Sequence, residues 1–158
     1  MIALWLVIGI AIGLFFAALL MIRMMRTKMV VRYRCSKPFE ETCNTIETIV
    51  PQTEGWGFPL PTFDMYQTLV EKNQVPEGIK NIKTFFICNP KLAKKMLCDS
   101  PWMAGMMPCS WAVYELENGS VWISKMNIGL MSKMFNGIVR DIMGQVADTD
   151  KVFLKQVL

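Results

Sequence analysis

No histidine occurs anywhere in the 158 residues. That removes the Ser-His-Asp and Cys-His nucleophile arrangements, His-ligated haem and the common His-containing zinc sites. Cysteine is sparse too. Cys35, Cys43, Cys88, Cys98 and Cys109 make an odd set with no CxxC pair. A disulfide framework is not expected from such spacing, and a cytoplasmic domain keeps its thiols reduced. Neither a low-complexity tract nor an internal repeat is visible. No basic stripe with interleaved aromatics appears, and the net charge of +4 comes largely from Arg23, Arg26, Lys28, Arg32 and Arg34. The rest is close to neutral, which argues against a nucleic-acid partner.

Charge is also missing from the first 22 residues, MIALWLVIGIAIGLFFAALLMI. The 21 residues from Ile2 to Ile22 are apolar or small. As helix they reach roughly 31 Å at about 1.5 Å per residue, enough for a hydrocarbon core of about 30 Å. A cleaved signal peptide has a basic start, a shorter apolar core and a small-x-small cleavage site. Here nothing basic precedes the run, and Met-Ile-Arg-Met-Met-Arg is a poor place to cleave. Residues 1–22 are therefore expected to be a single-pass anchor, with 23–28 as a basic junction. Lys and Arg beside a span tend to stay cytoplasmic. The expected topology puts the N-terminus outside and the main domain on the cytoplasmic side of a bacterial inner membrane. Arg23, Arg26 and Lys28 are placed to meet lipid headgroups. Gly9, Gly13 and Ala17 recur at four-residue spacing, the pattern by which membrane helices approach one another closely.

Residues 29–158 are enough chain for one domain. Met29 to Cys35 alternates as a half-buried strand. A helix follows, with Ser36 offered as cap, Glu40 and Glu41 in its first turn, and Phe39, Cys43, Ile46 and Ile49 or Val50 as its apolar stripe, ended by Pro51. Residues 54–61 read as a turn leading into a short edge strand. Phe63 to Lys72 is expected to be a short helix with Met65, Leu69 and Val70 inward. Residues 81–88, NIKTFFIC, are the strongest strand. Asn89 caps a helix that has Pro90 at its first position and runs to about Cys98. Residues 109–116 and 120–126 form a hairpin around Asn118-Gly119. A long C-terminal helix carries Ile138, Ile142, Val146, Phe153 and Val157, with a break expected near Asp148. This order predicts an α+β domain with helices on one face of an antiparallel sheet.

Phe39-Glu40-Glu41-Thr42, Gly55-Trp56, Cys88-Asn89-Pro90 with Ala93 and Leu97, and Pro108-Cys109 before a hairpin with Gly119 together resemble the domain of unknown function 302 family over residues 29–158. The resemblance implies a two-layer β-α-β(4)-α fold of the TATA-binding-protein-like class and a homodimer, and brings no established activity. Many relatives lack the anchor. The Met-rich stretch Ala104-Gly105-Met106-Met107-Pro108 replaces a more usual Leu-rich approach to Pro-Cys.

Cys88 and Cys109 are the candidate thiol or soft-metal site, since two thiolates can bind a soft metal or cycle with a disulfide. The alternative is two small buried hydrophobes. Cys35, Cys43 and Cys98 read as core. Trp102, Met103, Met106 and Met107 are a candidate patch for a partner or a lipid tail, or core under a loop. Trp56, Trp102, Trp111 and Trp122 are candidates to line a cavity. Asp64, Glu115 and Glu117 read as solvated carboxylates without partners. No catalytic constellation and no cofactor is expected. The first functional expectation is a membrane-anchored, non-catalytic accessory or assembly subunit that docks on a larger membrane complex, an electron-transfer complex being one candidate host. The alternatives are a thiol redox or soft-metal-handling protein, and a binder of lipid or another apolar small molecule.

Overall fold

The computed structural model describes the chain from residue 2 onward, with side chains from Trp5; Met1 of the expected anchor lies outside the described residues. Helix α1, Ile2–Lys28, is longer than the uncharged run because the basic junction continues the same helix. From Trp5 to Lys28 it is exposed, and it is long and apolar enough to cross a membrane.

A five-stranded antiparallel sheet follows, in the order β1-β5-β4-β3-β2. Its strands are β1 (Val30–Arg34), β2 (Phe63–Asp64), β3 (Ile79–Ile87), β4 (Cys109–Leu116) and β5 (Val121–Met126). Alternation decides the faces. Phe85, Ile87, Trp111, Val113, Val121 and Ile123 point to one side and are buried. Arg32 lies over the Trp122 ring at 5.4 Å on the other. Helices α2 (Phe39–Gln52) and α6 (Gly137–Val157) cover the buried face through Phe39, Cys43, Ile46, Val50, Phe153 and Val157. The expected two-layer β-α-β(4)-α domain is what the chain forms. Short additions interrupt it: α3 (Met65–Glu71), α4 (Pro90–Asp99), a 3₁₀ helix at Pro101–Met106, and α5 (Ile128–Ser132).

Several local expectations need correction. Pro38, not Ser36, stands at the cap of α2, and the Ser36 hydroxyl instead donates to the Leu158 carbonyl at the chain's end. Pro51 lies inside the last turn of α2. The stretch 54–61 leads into an edge strand as expected, but that strand, Phe63–Asp64, takes the first two residues of the expected helix, and Gly57 bridges Cys88 before it. No residue of α3 is buried, because it lies beside the edge of the sheet rather than on its face. The β4–β5 hairpin turns around Asn118-Gly119 as expected, with only Gly119 at a left-handed φ, +77°. Helix α6 runs unbroken through Asp148, for a reason found at the site.

A second core stands at one end of the sheet. Met96 of α4, Met103 of the 3₁₀ helix, Ile128 and Met131 of α5, and Val139, Ile142, Met143 and Ala147 of α6 pack together there. Register fixes which end it is. Val30 pairs with Met126, Lys125 with Trp111, and Cys109 with Ile87. This is the end at which α1 joins the sheet. Asn127 locks the junction: its backbone N–H donates to the Met29 carbonyl at 2.8 Å, and its side-chain amide to the Lys28 carbonyl at 3.0 Å.

Candidate functional site

Between the sheet end and this second core lies a cavity of about 330 Å³, within the range of about 300–1,000 Å³ typical of small-molecule sites. Seven methionines line it (Met96, Met103, Met106, Met107, Met126, Met131 and Met143), with Leu92, Ile128, Val146, Trp56 and Trp111. Methionine is unbranched and polarisable, so such a wall adapts to differently shaped apolar guests.

The polar groups around the cavity come from strand ends. Cys88 follows β3 and exchanges two backbone hydrogen bonds of 3.0 Å with Gly57. Asn89 then caps α4, its Oδ1 accepting from the N–H groups of Lys91 at 3.1 Å and Leu92 at 3.2 Å. Gly55 has φ +76°, and a Cβ there would stand 3.1 Å from the Asn89 amide, so both conformation and space require glycine. Trp56 sets its ring edge-on against Phe153 at 5.6 Å. Cys109 opens β4 opposite Ile87. Gly55-Trp56, Cys88-Asn89-Pro90 and Pro108-Cys109, separate in sequence, thus meet around one cavity.

Lys125, one of the lining residues, belongs to a buried pair that sequence reasoning missed. The Lys125 ammonium of β5 bonds to Asp150 Oδ2 of α6, and the Trp111 indole N–H donates to Asp150 Oδ1 at 2.8 Å. Lys125 is 7% exposed and Asp150 7%. The ammonium also lies 5.6 Å from the Trp111 ring and 5.9 Å from the Tyr33 ring, within cation–π range. A buried charge is tolerated only when paired and hydrogen-bonded, and both conditions are met. The signal was present: Lys125 shares the inward phase of Val121 and Ile123. Asp150 falls four residues after Val146 and three before Phe153, on the apolar stripe of α6. The polar run at 148–150 therefore marks an inward carboxylate, not a helix break.

Cys88 and Cys109 do line the same cavity, but burial pushes both thiols up, Cys109 to about 11. At neutral pH they are protonated, whereas the nucleophile and metal ligand is the thiolate. Among the described residues no group of three His, Cys, Asp or Glu side chains is placed to hold a metal. Cys35 and Cys43 are core, as expected, with Cys43 raised to about 12 by burial. Cys98 is not core: it is exposed on α4.

The patch Trp102, Met103, Met106 and Met107 divides. Met103 is buried, Met106 and Met107 edge the cavity, and Trp102 stands 62% exposed against Phe135 at 5.9 Å. Of the four candidate tryptophans, Trp56 and Trp111 line the cavity. Asp64 is a helix cap, accepting from Gln67 N–H at 2.8 Å. Glu115 accepts from the Asn81 amide at 2.7 Å and from Lys80 at 3.2 Å, and the Asn81 bond, with help from Lys80, holds its carboxyl below the ordinary value. Arg23, Arg26 and Lys28 lie on the last turns of α1. Among the described residues, nothing outside the helix's own backbone comes within 4 Å of where a Cβ on Gly9 or Gly13 would stand, and Ala17 is exposed on the same helix.

Residues 31–157 match the family described as domain of unknown function DUF302. The chain belongs to that family. No curated protein matches it. A crystal structure of an uncharacterized conserved DUF302 protein from Bacillus stearothermophilus superposes with a TM-score of 0.70 at 22% identity, covering 82% of this chain and 98% of that one. At that identity the likeness speaks for the fold. The share of this chain left uncovered is close to the length of α1, so the DUF302 fold accounts for nearly everything after the apolar helix.

Proposed function

We propose that this DUF302 domain is a membrane-tethered, non-catalytic binding module that holds an apolar small molecule in the methionine-lined cavity. The observation that carries the reading is the cavity's place: it opens in the adaptable core at the sheet end where α1 joins. Met126 and Ile128, which flank the Asn127 clasp on Lys28 and Met29, are themselves lining residues. With α1 across a bacterial inner membrane and its basic end cytoplasmic, the domain sits on the cytoplasmic side with its cavity beside the bilayer, where apolar molecules concentrate. Arg23, Arg26 and Lys28 then meet anionic headgroups, at about 1 kcal/mol each.

The test is native mass spectrometry of the full chain extracted gently from its own membranes. A bound small molecule is expected on the wild type and should be lost in Ala93→Trp, which fills the cavity from α4. Wild-type protein free of any small molecule, and indifferent to added apolar probes, would overturn the reading.

The role of accessory subunit in a larger membrane complex draws on a different feature, Trp102, a largely exposed aromatic. Exposed aromatic anchors are typical of docking surfaces. Trp102→Ala should then release co-purifying membrane proteins without disturbing the cavity; unchanged co-purification removes that role.

A further inference from the structure

We propose that the cavity's ligand is uncharged and presents a carbonyl-type oxygen to the Lys125 ammonium, an inference that rests on the cavity being a binding site. An ammonium carries three N–H donors and no acceptor. One is taken by Asp150. Among the described residues no second oxygen accepts from Lys125; its remaining neighbours are the faces of Trp111 and Tyr33. Asp150 is committed on both oxygens, to Lys125 and to Trp111. Lys125 lines the cavity and Asp150 does not, so at the cavity wall the pair presents a donor and no acceptor.

Charge balance narrows the class further. Lys125 and Asp150 are neutral together, so an anionic ligand would add an uncompensated charge to a buried site and compete with Asp150 for the same ammonium. A cationic ligand would meet Lys125 with no free carboxylate opposite it. A ketone, ester or similar neutral acceptor on an apolar body adds one hydrogen bond to a charged donor and no net charge. The two thiols, held protonated by burial, leave the remainder of the polar lining uncharged as well.

The experiment uses the full chain in nanodiscs with 13C-methyl-labelled methionine, so that the cavity wall is its own reporter. The probes are 1-tetralone and tetralin, bicyclic molecules of the same frame with and without a carbonyl, each referred to its partition into empty nanodiscs. Both should shift the Met103 and Met143 methyl signals. Tetralone should bind about tenfold or more tightly than tetralin, the scale of a hydrogen bond to a charged group. Lys125→Met with Asp150→Asn, which removes both charges and leaves an amide oxygen for the Trp111 N–H, should abolish that preference while keeping tetralin binding. Equal affinities in the wild type, or a preference that survives the paired substitution, would overturn the carbonyl assignment and leave the cavity reading intact. Methyl signals unmoved by either probe would overturn both. The infrared carbonyl stretch of tetralone bound to the wild type gives a readout independent of any variant: a shift to lower frequency is expected, and the frequency seen in alkane would refute the assignment.

Discussion

One helix, α6, packs two cores of different character. Its C-terminal half puts Phe153, Leu154 and Val157 against Phe85, Trp111, Val113 and Ile123, rigid aromatic and branched side chains that close on one another. Its N-terminal half puts Val139, Ile142 and Met143 against Met96, Met103 and Met131, and the space there stays open. Stiff side chains interlock at the density of a crystal; unbranched thioethers fill space loosely and rearrange. The first core specifies the fold, and the second trades packing for room. Between them stands the Lys125–Asp150 pair, tied to the closed core through Trp111 and reaching the open one through Lys125.

The largest way to break the comparison is at that border. Lys125→Met alone leaves a buried carboxylate without its partner and should cost about 3–5 kcal/mol, read as the unfolding midpoint in denaturant. The paired Lys125→Met, Asp150→Asn substitution should recover most of it. If the single and paired variants are equally unstable, the pair is not an isolated buried couple and Asp150 has other support.

Within the cores, Phe153→Ala should cost about 3–5 kcal/mol, because its neighbours cannot collapse into the gap. Met143→Leu conserves volume on the open side and should cost less than about 1.5 kcal/mol. A Met143→Leu variant as damaged as Phe153→Ala would mean that the second core is as tightly specified as the first, and its cavity a fixed mould.

The same contrast separates what the sequence announces from what it hides. The closed core follows simple signals: aromatic and β-branched content in 81–88, the Asn118-Gly119 turn between 109–116 and 120–126, and three-to-four spacing in 39–50 place the sheet and α2 correctly. The open core follows none. Its 3₁₀ helix and α5 are only one or two turns long, too short for a period to show, and flexible methionine suits a core and a partner patch alike. The convergence of Cys88 and Cys109 was legible because one thiol follows the end of a strand and the other opens its neighbour. Lys125 and Asp150 were missed because a single charge on an apolar phase names no partner, and the polar residues near Asp148 suggested only a helix break. Each was inconsistent with its element alone and consistent only with the other, a pairing that links β5 to α6 across 25 residues. Cys98 failed the opposite way: its helix has one buried side chain, Met96, so an apolar residue two positions on faces water.

The smallest expected effect is chemical and compares two thiols, one on α4 and one at the start of β4. Cys98 is exposed, while Cys109 is buried beside the cavity with its thiol held to about 11. At about pH 8, iodoacetamide should modify Cys98 first and leave Cys109 intact, since only an accessible thiolate reacts. Raising the pH tests the sign. A thiol whose folded value lies above its ordinary 9.0 favours the native state while both states stay protonated, below that ordinary value. The contribution is lost as pH climbs from about 9 toward about 11, where the unfolded chain releases its proton and the folded one does not. Stability measured across that window should therefore fall, and a Cys109→Ala variant should fall less steeply. Modification of Cys109 as fast as Cys98 near neutral pH would instead mark it as a reactive thiol. The cavity would then be a site for redox or soft-metal chemistry rather than for an inert apolar guest.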